Sequence, residues 1–196
     1  MTEALLIIAC YIIGSIPFSY LFGKYLGGVD IRTKGSGNVG ATNVYRTLGP
    51  IIGIAALIAD LLKGVAAVWI GQQSSISLVL VACCAAVGVG HCYPLFLRFK
   101  GGKAVATAAG VVLALSPTIF IILVIIFLAV VAVSGYVSLG SVTVAIIFSV
   151  LTVILVKPWS YTLIAVILGM LVVYRHRDNL KRLKAGTEPK FRDRVR

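Results

Sequence analysis

Apolar and polar positions separate into blocks along this chain. Apolar runs occupy residues 4–23, 50–71, 75–97, 104–115, 117–133, 137–156 and 158–174, with short polar stretches between them. Roughly 20 apolar residues make a helix long enough to cross a bilayer. Inside lipid, a segment must satisfy its own backbone polar groups, so the runs predict membrane helices. No basic residue precedes Lys24, so the first run lacks the basic start of a secretory signal and is expected to stay as a first span. Residues 104–133 read either as one long helix or as two short passes broken at Ser116 and Pro117, because proline has no N–H and disfavours helix just before it.

Charge chooses between them. Of the 18 lysines and arginines, all but Lys63 and Lys157 fall within 24–49, 98–103 and 175–196. Two passes put these three stretches on one side of the membrane, as the positive-inside rule requires; one pass sends the basic tail across. The expectation is an all-α polytopic membrane protein with seven transmembrane helices, several of them short, and cytoplasmic polar loops forming the active site. The N-terminus would lie outside and the C-terminus in the cytoplasm. Residues 1–196 would form one domain ending in a basic tail from about 175. The span after Lys103 holds too few apolar residues to cross an unperturbed core, so it should begin below the lipid surface or thin the bilayer.

Composition agrees: 60% of residues are hydrophobic and 12% charged, far from a soluble domain. The net charge of +12 sits in short loops between apolar helices, so nucleic-acid binding is a poor reading. Cys10, Cys83 and Cys84 lie inside apolar runs and Cys92 adjoins one, with no metal-site spacing; all four are expected to pack between helices.

Four polar segments carry candidate chemistry. Residues 90–107, GHCYPLFLRFKGGKAVAT, place Gly101, Gly102 and Lys103 at the head of an apolar run, a pattern suited to holding a phosphate on backbone N–H groups and a cation. Without the full P-loop spacing, no nucleotide is inferred. Residues 35–46, GSGNVGATNVYR, gather Ser36, Gly37, Asn38, Thr42, Asn43 and Arg46, where the arginine can grip phosphate with two prongs. In 135–141, GYVSLGS, Ser138 and Ser141 could donate to an anion or cap helices. In 174–188, YRHRDNLKRLKAGTE, helical spacing puts Arg175 and His176 on the face of Asn179. Each segment also has a plainer reading as a turn, a cap or a topology signal. His91 is expected as a packed histidine at a helix end. Asp60 and Lys63, three apart inside a span, read as a mutually neutralising pair or as a functional site.

In their order along the chain, SGNVGATN at 36–43, GHCYPLFLRFKGGKAVAT at 90–107, YVSL at 136–139 and the 174–188 segment resemble the bacterial acyl-phosphate-dependent glycerol-3-phosphate acyltransferase family, PlsY. Ala104 departs from the family, which usually shows glycine after the GGK lysine. The resemblance implies a multi-pass inner-membrane enzyme. It would move a fatty acyl group from acyl phosphate to the 1-hydroxyl of sn-glycerol 3-phosphate, giving lysophosphatidic acid and phosphate. It implies no cofactor or metal, a monomer among membrane lipids, and an acyl-phosphate-producing enzyme as a transient partner. Ser36, Lys103, His176 and Asn179 are the expected catalytic residues; Gly37, Asn38, Thr42, Asn43, Arg46, Gly101, Gly102, Ser141 and Arg175 are expected to bind substrate. Neither histidine has the aspartate of a His-x4-Asp acyltransferase pair, and no covalent acyl-enzyme constellation is apparent. Two routes for the proton stay open, to His176 as general base or to the acyl phosphate itself. A small organic-phosphate transporter or lipid-phosphate binding protein is the competing class.

Overall fold

The computed structural model describes residues 2–155 and 157–191. Every apolar run becomes helix. The first is split: α1 covers Glu3–Ser15 and α2 covers Phe18–Tyr25, because Pro17 cannot donate to the preceding turn. An amphipathic α3, Ala41–Leu48, lies in the polar loop and ends at Gly49, whose φ of 88° admits only glycine comfortably. Pro50 then opens α4, Pro50–Gly71, at a position where the missing N–H costs nothing. The next helices are α5, Ser77–Cys92, and α6, Val105–Leu115. Pro117 starts α7, Pro117–Ser134, which stops at left-handed Gly135. Helix α8 is Val137–Ile154, α9 is Trp159–Arg175 and α10 is Arg177–Lys184.

Five segments are long and apolar enough to cross a membrane: Glu3–Tyr25, Pro50–Gly71, Ser77–Leu97, Pro117–Ser134 and Val137–Ile154. A sixth forms if α9 and α10, bent by 54°, count as one span. Residues 104–133 do break into two helices where proline placed the break. Only the second is long and apolar enough to cross, so among the described residues five or six of the seven expected spans stand by length and composition. Helix α6 has 11 residues. At 1.5 Å per residue it reaches about 16 Å, roughly half of a hydrocarbon core. The last arginines of the expected basic tail, Arg192, Arg194 and Arg196, lie outside the described residues.

Without a hydrophobic drive between helices in lipid, association depends on close packing. Helix α4 meets α6 at Gly64 and Gly110: a Cβ on Gly64 would strike the Thr107 carbonyl oxygen, and one on Gly110 the Leu61 carbonyl oxygen. Helix α1 meets α5 similarly, with Gly14 against the Val87 backbone and Gly90 against the Tyr11 carbonyl. The four cysteines are free and buried, as packing residues. Gly64→Leu should therefore force α4 and α6 apart and cost about 1–3 kcal/mol or more. Thermal unfolding in detergent, with lipid-facing Ile58→Leu as control, measures it; equal melting temperatures would refute the close-packing account.

Candidate active site

At one end of the bundle, the loop before α3, an irregular strand of chain at 98–104 that pairs in no sheet, the start of α8, the α9–α10 junction and residues 186–191 surround a cavity of about 440 Å³. Its mouth is polar, lined by Ser36, Asn38, Thr42, Asn43, Arg46, Lys103, Ser138, Ser141, His176, Asn179, Arg182 and Glu188. Its depth is apolar, with Leu57, Val112, Phe120, Leu123, Phe127, Phe148 and Leu168 on the walls. Gly37, Gly101, Gly102 and Arg175 do not line it.

Asn43 shapes the first loop. Its Nδ2 donates to the carbonyls of Ile31, Lys34 and Asn38 at 2.9, 3.1 and 3.1 Å, and its Oδ1 accepts the Ser36 N–H at 3.0 Å. That leaves its side chain occupied with holding Ser36 and Asn38 at the mouth. Gly37 serves the same turn, with φ 68° and its N–H donated to Lys34.

The glycine amides, expected to hold phosphate, have other work. Gly101 N–H donates to the Cys92 carbonyl and Gly102 N–H to the His91 carbonyl, both at 3.1 Å. Their own carbonyls accept from Arg175, Nη2 to Gly101 and Nε to Gly102, each at 3.1 Å. The guanidinium lies 5.1 Å from the centre of the Tyr93 ring. Arg175 thus clamps the strand, which needs glycine because a Cβ at 101 would meet the His91 carbonyl and one at 102 the His91 ring. After Lys103 the chain turns through Ala104 at φ 59°. Left-handed geometry costs a non-glycine residue about 1–2 kcal/mol, so a glycine would meet this turn at less cost than Ala104.

Lys103 emerges from the clamped strand into the mouth, where Nζ donates to Asn179 Oδ1 at 2.5 Å. Asn179 Nδ2 donates to Glu188 Oε1 at 2.6 Å, and Arg182 Nε to Glu188 Oε2 at 2.8 Å. An ammonium only donates and a carboxylate only accepts, so this chain fixes which way the Asn179 amide points. Glu188 was absent from the sequence-based set; it is one of three acids, with Asp178 and Asp193, in a mainly basic tail, and nothing in its spacing singled it out. Burial alone would raise its pKa, but hydrogen bonds from Asn179 and Arg182 outweigh that and lower it. Burial lowers the Lys103 pKa to about 8, against the opposing charge of Glu188.

His176 sits at the α9–α10 bend with Nδ1 2.8 Å from the Val172 carbonyl. The carbonyl can only accept, so Nδ1 carries the proton and Nε2 offers a lone pair. Burial, then the Lys103 charge, pushes its pKa down to about 4, so the ring is neutral at pH 7. Ser141 Oγ donates to the Val137 carbonyl at 2.8 Å, leaving it acceptor capacity toward the cavity. Arg46 Nη2 donates to the carbonyls of Pro189 and Lys190, at 3.4 and 3.1 Å, tying residues 186–191 across the site.

The glycerol-3-phosphate acyltransferase family model matches residues 4–186. The chain belongs to that family. A glycerol-3-phosphate acyltransferase of Syntrophomonas wolfei is 52% identical over 195 residues, covering 100% of both chains. One from Bacillus velezensis is 41% identical, covering 98% of this chain and 99% of that one. The crystal structure of PlsY (YgiH), an integral membrane glycerol 3-phosphate acyltransferase, in its glycerol 3-phosphate form superposes with a TM-score of 0.92 at 40% identity, covering 97% and 96% of the two chains. Its lysophosphatidic acid form gives 0.90 at 39% identity. The chain is accordingly a multi-pass integral membrane acyltransferase.

The Lys103 ionisation sets a pH dependence. A bound anion favours the ammonium, so the complex keeps the proton to higher pH than the free protein does. Affinity for inorganic phosphate should hold below about 8 and fall above it, approaching tenfold per pH unit. Lys103→Arg, charged at all these pH values, should flatten the fall. Titration calorimetry from pH 6 to 10 tests this, and a flat wild-type profile would remove Lys103 from the anion site.

Proposed function

We propose that this acyltransferase uses acyl phosphate as donor and esterifies the 1-hydroxyl of sn-glycerol 3-phosphate, the first acylation of phospholipid synthesis. The supporting observation is the two-part cavity, with one wall of aliphatic and phenyl groups and one mouth where Lys103 stands between the Ser36–Asn38 loop and the His176–Asn179 bend. The acyl chain lies in the depth. Its phosphate meets Ser36, Asn38, Thr42 and Lys103 at the mouth, and Ser141 once its hydroxyl turns from the Val137 carbonyl. Glycerol 3-phosphate enters from water and meets Arg46, Asn179 and the other side of Lys103, with its hydroxyl against His176 Nε2. Asn43, Gly37, Gly101, Gly102 and Arg175 contribute by holding the two loops that carry these groups.

The hydroxyl oxygen attacks the acyl carbon, the acyl carbon–phosphate oxygen bond breaks, and inorganic phosphate leaves. Acyl phosphate is already activated, so the protein's task is placement and neutralising negative charge on the leaving group. A histidine with pKa about 4 is a weak acceptor for the hydroxyl proton. Phosphate, with a second pKa near 6, is the stronger base. His176 therefore orients the hydroxyl and the departing phosphate takes its proton. No step calls for a metal or cofactor.

Clustered basic loops orient the enzyme with this mouth and the C-terminus in the cytoplasm and the N-terminus outside. It works as a monomer in the bacterial inner membrane and receives acyl phosphate from a transiently associated enzyme or through the bilayer. A transporter would reach its polar site from both faces, whereas the phosphate-suited hydroxyl, amide and cationic groups lining this cavity gather at one end.

Purified protein given synthetic palmitoyl phosphate and labelled glycerol 3-phosphate should make labelled lysophosphatidic acid without acyl-CoA or acyl carrier protein; no product in active-lipid conditions would sink this reading. His176→Gln, which keeps an acceptor near Nε2, should retain most turnover, and His176→Ala should lose more. Loss of about 10²–10⁴-fold in the Gln variant with substrate binding intact would make His176 an obligatory base.

A further inference from the structure

Three ionisable side chains stand inside the bundle and take no part in the chemistry above: Asp60, Lys63 and His91, exposed by 1, 3 and 8%. Lys63 Nζ lies 2.8 Å from Asp60 Oδ1 and donates to the carbonyls of Gly14 and Ile16 at 3.2 and 3.0 Å. It also lies 3.2 Å from His91 Nδ1, while Ser19 Oγ donates to Asp60 Oδ2 at 3.1 Å. Thr107 Oγ1, on α6, is 3.1 Å from the same His91 nitrogen. An ammonium has no acceptor, so Nδ1 accepts from Lys63 and the His91 proton resides on Nε2. Tautomer and ring plane are fixed together.

The opposite edge of that ring faces the strand that carries Lys103. A side chain at 102 would collide with His91 Nε2, and the His91 and Cys92 carbonyls accept the Gly102 and Gly101 N–H groups. Asp60 and His91 also form part of the cavity wall. Stability alone is a weak reason for this cluster, because a buried ion pair gains little over apolar residues of similar volume. Its contact with the strand supplies another reason.

We propose that Asp60, Lys63 and His91 are positioning residues for Lys103: the cluster locks the His91 ring against Gly102, and the strand so supported sets where the Lys103 ammonium stands in the cavity. The inference rests on the reading of Lys103 as the residue facing the substrate phosphates. In a site of this kind, misplacement by 1 Å can cost about a hundredfold in rate.

The double variant Asp60→Asn/Lys63→Met tests it, since removing both charges leaves no unpaired ion. The expected result is a melting temperature near wild type with kcat lowered about ten- to a hundredfold and little change in either KM. The alkaline limb of the kcat/KM profile, which reports the free protein, should also move from about 8 toward 10.5 as the loosened ammonium gains water. The other charged or titratable groups facing Lys103 are Glu188, Arg182, Arg175, Asp178 and His176, all unchanged in this variant. A folded double variant with wild-type kcat and an unmoved alkaline limb overturns the proposal. If it does not fold, His91→Asn decides, because its amide oxygen can still accept from Lys63 while the ring edge under Gly102 is gone. Lowered kcat with a shifted limb in the folded protein supports the proposal, and wild-type kinetics overturns it. Failure of both variants to fold assigns the cluster to stability alone and also overturns it. Wild-type turnover measured alongside separates the two readings: no acylation by wild type refutes the acyl-phosphate reaction. The pH dependence of inorganic phosphate binding, compared between wild type and variant, then still reports whether Lys103 has moved.

Discussion

An ammonium inside an apolar bundle needs an acceptor for every proton, and the fold around Lys63 is arranged to supply them. The break at Pro17 exposes the carbonyls of Gly14 and Ile16 and α5 provides His91, three acceptors for three protons, while α4 sets the Asp60 carboxylate 2.8 Å away as counter-charge. Close approach of α6 to α4 across Gly64 and Gly110 brings Thr107 to the same point. Four helical segments are thus referenced to one charge, and Lys103 lies four residues before Thr107. One histidine ring and two glycines connect the ion pair buried in the bundle to the lysine at the cavity mouth.

A second chain of donors and acceptors fixes the other side of Lys103. Arg182 and Asn179 both donate to Glu188, which leaves the Asn179 oxygen turned toward the lysine. Glu188 stands beyond α10, so residues 186–191 must fold back over the site for this to form. That return is held by the Phe191 N–H on the Gly135 carbonyl at 2.8 Å and by Phe191 against Tyr45, ring centres 5.3 Å apart. The tail is therefore part of the site wall, and its acid tempers a mouth that would otherwise be uniformly basic.

Much of this was legible in the sequence because block patterning and charge asymmetry survive whatever the tertiary packing does. The first run reads as a single span; the structure breaks it at Pro17, and nothing local says that a lysine 46 residues later will satisfy the exposed carbonyls. The short α6 was legible from its apolar length. The polar segments that line the mouth were legible as types of residue, but their division of labour was not. Gly101 and Gly102 suit an anion nest in isolation; only the fold shows their N–H groups given to His91 and Cys92. Arg175 looked equivalent to Arg46 by charge, yet its guanidinium spans two carbonyls of the strand. Asn43 was expected at the phosphate, and all its side-chain hydrogen bonds close the loop instead. Hydrogen-bond capacity is read from residue type, whereas its spending depends on partners distant in sequence.

These secondary roles make physical sense for a site at the boundary of two solvents. A phosphate ligand could be gripped by loop amides in water, where a flexible loop adapts at little cost. In the reaction proposed above, the donor's acyl chain lies in the cavity and its phosphate must meet a second phosphate that arrives from the other medium. Like charges brought together repel, and a mobile cation would follow whichever anion bound first. A lysine held by Asn179 on one side and by a clamped strand on the other cannot do so. Rigidity of the cation, more than its number of contacts, is what allows the hydroxyl of one phosphate to be set against the acyl carbon of the other.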